Sequence, residues 1–204
     1  MMIYIYIISA FIMISALYVQ TQQYIRAMIR GIVIEAALLG LLSFYIGIKS
    51  KSLDFIILGI LIVILRGFII SYILEKRIPG IKEIYREKHG GLASSLILSI
   101  IFSLVPAFFI YYYILYKVAS EIIVFPLIIL FLALFLYMFR KSTFAHVMAY
   151  VEEENAMILF AIFVIPIPFI IEASVLLDVF AFIIITFIVI REKTRHEPME
   201  ELRG

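Results

Sequence analysis

The stretch Arg140–Arg195, RKSTFAHVMAYVEEENAMILFAIFVIPIPFIIEASVLLDVFAFIIITFIVIREKTR, decides the fold. It holds two long apolar runs, Phe144–Ile165 and Pro168–Ile190, separated only by a Pro-Ile-Pro turn. Each is long enough to cross a bilayer as a helix, because about 20 residues rising about 1.5 Å each cover about 30 Å of hydrocarbon. The first run nevertheless carries Glu152, Glu153, Glu154 and Asn155, and the second carries Glu172 and Asp178. Ionisable groups are costly at the bilayer centre, at least about 2.5 kcal/mol on insertion scales, so these side chains are functional candidates.

Outside that hairpin the composition points the same way. The chain has 204 residues, 65% of them hydrophobic, and a mean hydropathy of +1.16. Soluble domains are about 45–50% apolar. Apolar runs this long predict an all-α polytopic membrane protein, since a membrane β-barrel would show alternating segments of about 10 residues. There is no cysteine, which excludes disulfides, iron–sulfur ligation and thiol catalysis within the chain. His89, His146 and His196 are far apart and make no metal-ligand spacing. No phosphate loop or nucleophile motif is present, so no catalytic residue, cofactor or metal is expected. The N-terminal MMIYIYIISAFIMISALYV lacks a basic segment and a cleavage site, and is expected to be a first membrane helix rather than a signal peptide.

Seven spans are predicted: Ile3–Val19, Tyr24–Ile48, Leu53–Leu74, Leu92–Tyr116, Ile122–Phe139, Phe144–Ile165 and Pro168–Ile190. Pro106 should kink the fourth, whereas Pro126 falls early enough in the fifth to be tolerated. They form a single membrane domain over 1–204. Within it the expected parts are a three-helix unit (1–74), a loop at 75–91, a connecting helix at 92–116, a second three-helix unit (122–190) and a charged tail at 191–204. Of the 17 basic residues, only Lys49, Lys51 and Lys117 fall on the N-terminal side, and Arg66 lies inside a span. By the positive-inside rule the N-terminus faces outside, while the C-terminus, the tail and the 75–91 loop are cytoplasmic. The basic residues are thus a topology signal, not a nucleic-acid patch.

Depth follows from the span midpoints. Glu35, Arg66, Glu154 and Asp178 sit within about 3 Å of the middles of spans two, three, six and seven. Glu172 lies about 6 Å below the outer surface. Three adjacent acids cover about 200° of a helix, so Glu152, Glu153 and Glu154 cannot all face one pore. Glu154 is the expected working group, with Asn155 holding water or backbone beside it. The bland alternative, a charged helix end, would leave Ala156–Ile165 too short to span. Asp178 is nearly level with Glu154 across the hairpin, where it either exchanges protons or accepts fixed hydrogen bonds. Glu35 and Arg66 are either a packing ion pair or members of the same path. His146, Tyr150 and Glu153 share one face near the cytoplasmic end, as an interfacial anchor or, together with Glu152, as a route of proton uptake.

The order of these features resembles the hydrogenase-4 component E family, membrane proteins of group 4 [NiFe] hydrogenase and formate hydrogenlyase-type complexes. Its Y-x-x-x-E-N pattern is matched by Tyr150, Glu154 and Asn155, and its P-x-x-[VI]-E-x-x-x-x-x-D pattern by Pro168, Ile171, Glu172 and Asp178. The last three spans are similar to the K-type membrane protein of complex I and to the C-type protein of Mrp antiporters. The resemblance implies a membrane component that contributes Glu154, Asp178, Glu172, Glu35, Arg66 and Asn155 to a proton or Na⁺ path. It also implies antiporter-like partners and a hydrogenase-like or complex I-like redox module, in the cell membrane. Departures are Arg66, where the family tends to carry lysine, Glu35 near an expected glutamine, and the additional Glu152 and Glu153. Two other readings are a stand-alone secondary transporter and a purely structural membrane anchor.

Overall fold

The computed structural model describes residues 2–73, 92–117, 119–140, 143–164, 171–177, 179–180 and 182–184. Every regular element among them is helical. Helix α1 spans Met2–Thr21, α2 Ile25–Ser50 and α3 Leu53–Ile62, which continues as a π-helical stretch, Val63–Ile70. Helix α4 spans Leu92–Ile110 and ends in π-helical turns, Tyr111–Leu115. A 3₁₀ turn, Glu121–Ile123, opens α5, Val124–Phe139, and α6 covers Thr143–Val164. Residues 171–177 and 182–184 are also helical.

Five helical stretches are long and apolar enough to cross a membrane: Met2–Thr21, Ile25–Ser50, Leu53–Ile73, Ser94–Leu115 and Glu121–Phe139. They fall within a few residues of the first five predicted spans. Helix α6 has the length of a sixth, 22 residues, but its three consecutive glutamates set it apart from the other five. The 75–91 loop, the Pro-Ile-Pro turn, Asp178 and the 191–204 tail lie outside the described residues. Pro126 occupies the first turn of α5, where its missing N–H is not needed. Pro106 lies inside α4, five residues before the π-helical turns begin at Tyr111.

The apolar pattern is that of a membrane protein. On α1, Ile5, Ile12, Ala16 and Val19 face inward, yet Ile3, Ile7, Phe11 and Ile14 on the opposite face are equally apolar and exposed. A helix that is hydrophobic all round belongs in lipid or in a large core. The same holds for α4, which exposes Ile101, Val105, Phe108 and Phe109.

Helix α2 is central: it packs on α1, α3 and α6, while α5 packs on α1, α4 and α6. Lipid is as apolar as leucine, so close backbone approach and internal polar contacts hold such helices together. The α2–α3 hairpin shows both. A Cβ on Gly40 would collide with Val63 Cγ2 and lie 3.1 Å from the Gly59 carbonyl oxygen, and one on Gly59 would lie 3.0 Å from the Gly40 carbonyl oxygen. The Ser43 hydroxyl donates to the Phe55 carbonyl across the same seam at 2.7 Å.

Nearer the hairpin turn, a Cβ on Gly47 would meet the Ile56 backbone nitrogen at 3.0 Å and the Phe55 carbonyl carbon at 3.2 Å. Backbone atoms cannot step aside as a side-chain tip can. Gly47→Val should therefore destabilise the detergent-solubilised protein by about 1–3 kcal/mol, the usual cost of overpacking. Gly67→Ala, whose Cβ would meet only Val63 Cγ1 at 4.0 Å, should leave the thermal midpoint nearly unchanged. Equal midpoints for the two variants would refute the tight seam.

Candidate functional site

The polar interior is built on α6, because consecutive residues of a helix point about 100° apart. Glu152 and Asn155 turn inward and are fully buried. Glu154 turns toward α3, and Glu153 is left partly exposed. Helical geometry predicts this spread of directions, and of the three glutamates Glu152 is the one fully buried.

Arg66 is the counterpart on α3. It sits in the π-helical stretch Val63–Ile70 and is buried to 1% exposure. A π-helical segment shifts the register of the side chains that follow, and such segments recur at functional sites. The Ser71 hydroxyl donates to the Gly67 carbonyl within the same turn. From this position Arg66 Nη2 donates to Glu154 Oε2 at 3.0 Å and Nη1 donates to Asn155 Oδ1 at 3.0 Å. The Glu154 side chain remains 19% exposed. Arg66 is therefore salt-bridged to Glu154, not to Glu35, the partner considered from span midpoints. Ile70, Tyr150, Val151 and Phe182 line the shallow recess around this ion pair.

Glu35, from the middle of α2, is fully buried and neither of its carboxylate oxygens has a hydrogen-bond partner. Its polar surroundings are Asn155 and Arg66. Asn155 spends its oxygen on Arg66, and its amide nitrogen acts on the Glu35 carboxylate without closing a hydrogen bond. Glu152 is equally buried and lies within electrostatic reach of Glu35. One Glu152 oxygen receives a long contact from Gln20 Nε2, 3.5 Å, and the other has no partner. Two fully buried carboxylates thus lie within electrostatic reach of each other.

Gln20 is the residue that sequence reasoning missed. It looks like an ordinary polar helix end, one residue from the close of α1. Its amide nitrogen instead donates to the Leu132 carbonyl at 2.9 Å and reaches Glu152. Arg140 holds it there: Arg140 Nη2 donates to the Gln20 and Gln22 carbonyls at 2.7 and 2.9 Å. These carbonyls lie at the last turn of α1 and just beyond its end, and a cation there also suits the helix dipole. His146 Nε2 lies 2.7 Å from the Arg140 carbonyl oxygen, and its ring stacks on Tyr137 with centroids 4.7 Å apart. This knot joins α1, α5 and α6 at one end of the bundle, the arrangement of an anchor.

Glu172 stands apart from the buried cluster. It is half-buried, one of its oxygens has no partner, and it feels the charge of Asp54 in the first turn of α3. That places it toward the opposite end of the bundle from Gln20. Among the described residues no group of three or more His, Cys, Asp or Glu could hold a metal ion. No family model, no curated protein and no solved structure matches the chain.

Removing one partner of a buried ion pair strands the other. Arg66→Leu should therefore destabilise the protein by about 3 kcal/mol, somewhat less than for a fully enclosed pair because Glu154 is partly exposed. The double variant Arg66→Leu/Glu154→Leu should recover most of that loss. Thermal unfolding of the three purified proteins tests it, and a double variant worse than the sum of both single changes would contradict the pairing.

Proposed function

We propose that the chain is a non-catalytic, seven-span membrane component of a hydrogenase-4- or complex I-like energy-converting complex, and that its buried carboxylates form part of a proton or Na⁺ path. The observation that carries this reading is the Glu35–Glu152 pair. A protein that needed only to anchor itself in lipid would gain nothing from two enclosed acids with unpaired oxygens, since their burial is costly and their mutual repulsion adds to it. Ionising both would leave two charges in a site where the one guanidinium at that depth is engaged by Glu154. The pair therefore keeps an exchangeable proton, or a cation in its place.

The surroundings suit that task. Asn155 links the pair to Arg66, so a change in the Arg66–Glu154 contact is felt at Glu35 through one amide. Gln20 gives a polar link from Glu152 toward the end of the bundle that holds Arg140 and His146. In the proposed topology this end is cytoplasmic, the N-terminus is outside, and Glu172 lies near the outer surface. Arg66 tunes the acids rather than relaying protons, because a guanidinium holds its proton too firmly. Electron transfer belongs to other chains, a hydrogenase-like or complex I-like module on the cytoplasmic side of an antiporter-like set in the cell membrane. Glu154, Asn155, Glu172 and Asp178 enter this reading through the family resemblance of their pattern, and Glu35 and Glu152 enter it through their burial.

Affinity purification in mild detergent, followed by mass spectrometry, should recover antiporter-like proteins and a hydrogenase-like or complex I-like large chain. Recovery of a stable, solitary chain would favour a secondary transporter instead. In the intact complex, Glu35→Gln and Glu152→Gln should each lower ion translocation at least tenfold while the same set of proteins stays assembled. Full translocation by both variants would exclude the pair from the path and leave the structural-anchor reading.

A further inference from the structure

Helix α6 has one outward face, and an acid lies in the middle of it. Half-buried Glu153 shares that face at helical spacing with Met157, 55% exposed, and Val164, 47% exposed, whereas His146 and Tyr150, further back along it, pack against Tyr137 and the Arg66 recess. Glu153 is ten residues beyond the helix start at Thr143, or about 15 Å along the axis. That is about half the thickness of a hydrocarbon core. Among the described residues Glu153 has no ion pair, and the charge of the adjacent Glu154 repels it. The chain has little else to offer. Of its 17 basic residues, only Arg26, Arg30 and Arg66 fall inside a predicted span; Arg26 and Arg30 lie in the first two turns of α2, away from mid-depth, and Arg66 is engaged by Glu154 and Asn155.

We infer that this face of α6 docks a membrane-spanning helix of another chain, which places a lysine or arginine side chain opposite Glu153. Charge decides among the possible occupants. Two copies of this chain meeting face to face on a two-fold axis would bring two Glu153 carboxylates together, since such an interface pairs each patch with itself. Lipid tails offer no cation at that depth. A partner helix with one basic residue at mid-span would satisfy both carboxylate and cation, which neither could do alone in hydrocarbon. The inference rests on α6 crossing the membrane and not on the proton path.

The test is site-specific photo-crosslinking in native membranes, with the complex intact. Benzoylphenylalanine replacing Met157 or Val164 should give one discrete protein adduct, whose crosslinked peptide lies in a membrane span containing Lys or Arg. The same probe replacing Phe109 on α4, 58% exposed, should give lipid adducts only. Glu153→Lys should reduce the Met157 adduct at least tenfold, and changing the partner's basic residue to Glu should restore it. Glu153→Gln, which leaves the interior of the bundle untouched, should reduce it several-fold with the thermal midpoint of the isolated chain retained. An adduct with a second copy, with a span lacking any basic residue, or with lipid alone would overturn the inference, as would an adduct indifferent to both Glu153 variants. The chain has no native cysteine, so a Met157→Cys protein can be probed separately with a membrane-impermeant maleimide. Labelling there would place α6 outside the membrane and overturn the topology as well, whereas lipid-only adducts would overturn the docking surface alone.

Discussion

Arg66 is the constraint on which the interior depends. A guanidinium keeps its charge at any depth, so a helix that buries one must find an acceptor set within reach of a side chain. Here the set is Glu154 and Asn155, both on α6 and both 3.0 Å away. Meeting that demand fixes the rotation of α6 about its own axis. Once Glu154 and Asn155 face α3, helical geometry obliges Glu152 to face Gln20 and Glu35, and Glu153 to face out. The placement of three acids thus follows from the neutralisation of one base.

That placement needs a tightly packed scaffold, since a bundle in lipid cannot rely on expulsion of water to pull its helices together. The glycines of α2 and α3 supply the closeness. Gly40 and Gly59 lie against each other's carbonyls, and Gly47 lies against the backbone at Phe55 and Ile56. The resulting hairpin carries Glu35 on one helix and Arg66 on the other. At the opposite edge, Arg140 ties the end of α1 to α5 through the Gln20 and Gln22 carbonyls, which in turn holds the Gln20 side chain against Glu152. Packing and polar contacts are therefore not separate systems in this protein. The seam that lets α3 approach α2 is what brings the guanidinium within reach of α6.

The helical class and the positions of the first six helices were legible in the sequence, because run length and uninterrupted apolar character are local properties. The common depth of Glu35, Arg66 and Glu154 was legible too, since helix rise converts sequence position directly into depth. Rotation was not. Depth alone allowed Arg66 to pair with either acid, and the choice of Glu154 depends on how α6 turns and on the π-helical stretch around Arg66, neither of which shows in composition. For the same reason Glu152 read as one of several extra acids, although it is fully buried beside Glu35. Gln20 escaped notice because a glutamine one residue from a helix end is ordinary until a neighbouring chain segment reaches across to it. Asp178 and the 75–91 and 191–204 segments lie outside the described residues.

The triplet Glu152–Glu153–Glu154 then has a meaning that none of its members has alone. One carboxylate faces another acid in the interior, one is bound to the fixed positive charge, and one looks outward at mid-depth. All three ride on a single rigid helix, so their environments cannot change independently. A rotation of α6 that loosened Glu154 from Arg66 would also change the distance from Glu152 to Glu35 and turn Glu153 toward or away from whatever lies beside it. Asn155 adds a second tie, because its oxygen follows Arg66 while its nitrogen acts on Glu35. Three adjacent acids on a largely apolar helix are costly to bury. Their adjacency makes sense if the outward face, the ion pair and the buried pair are to move as one.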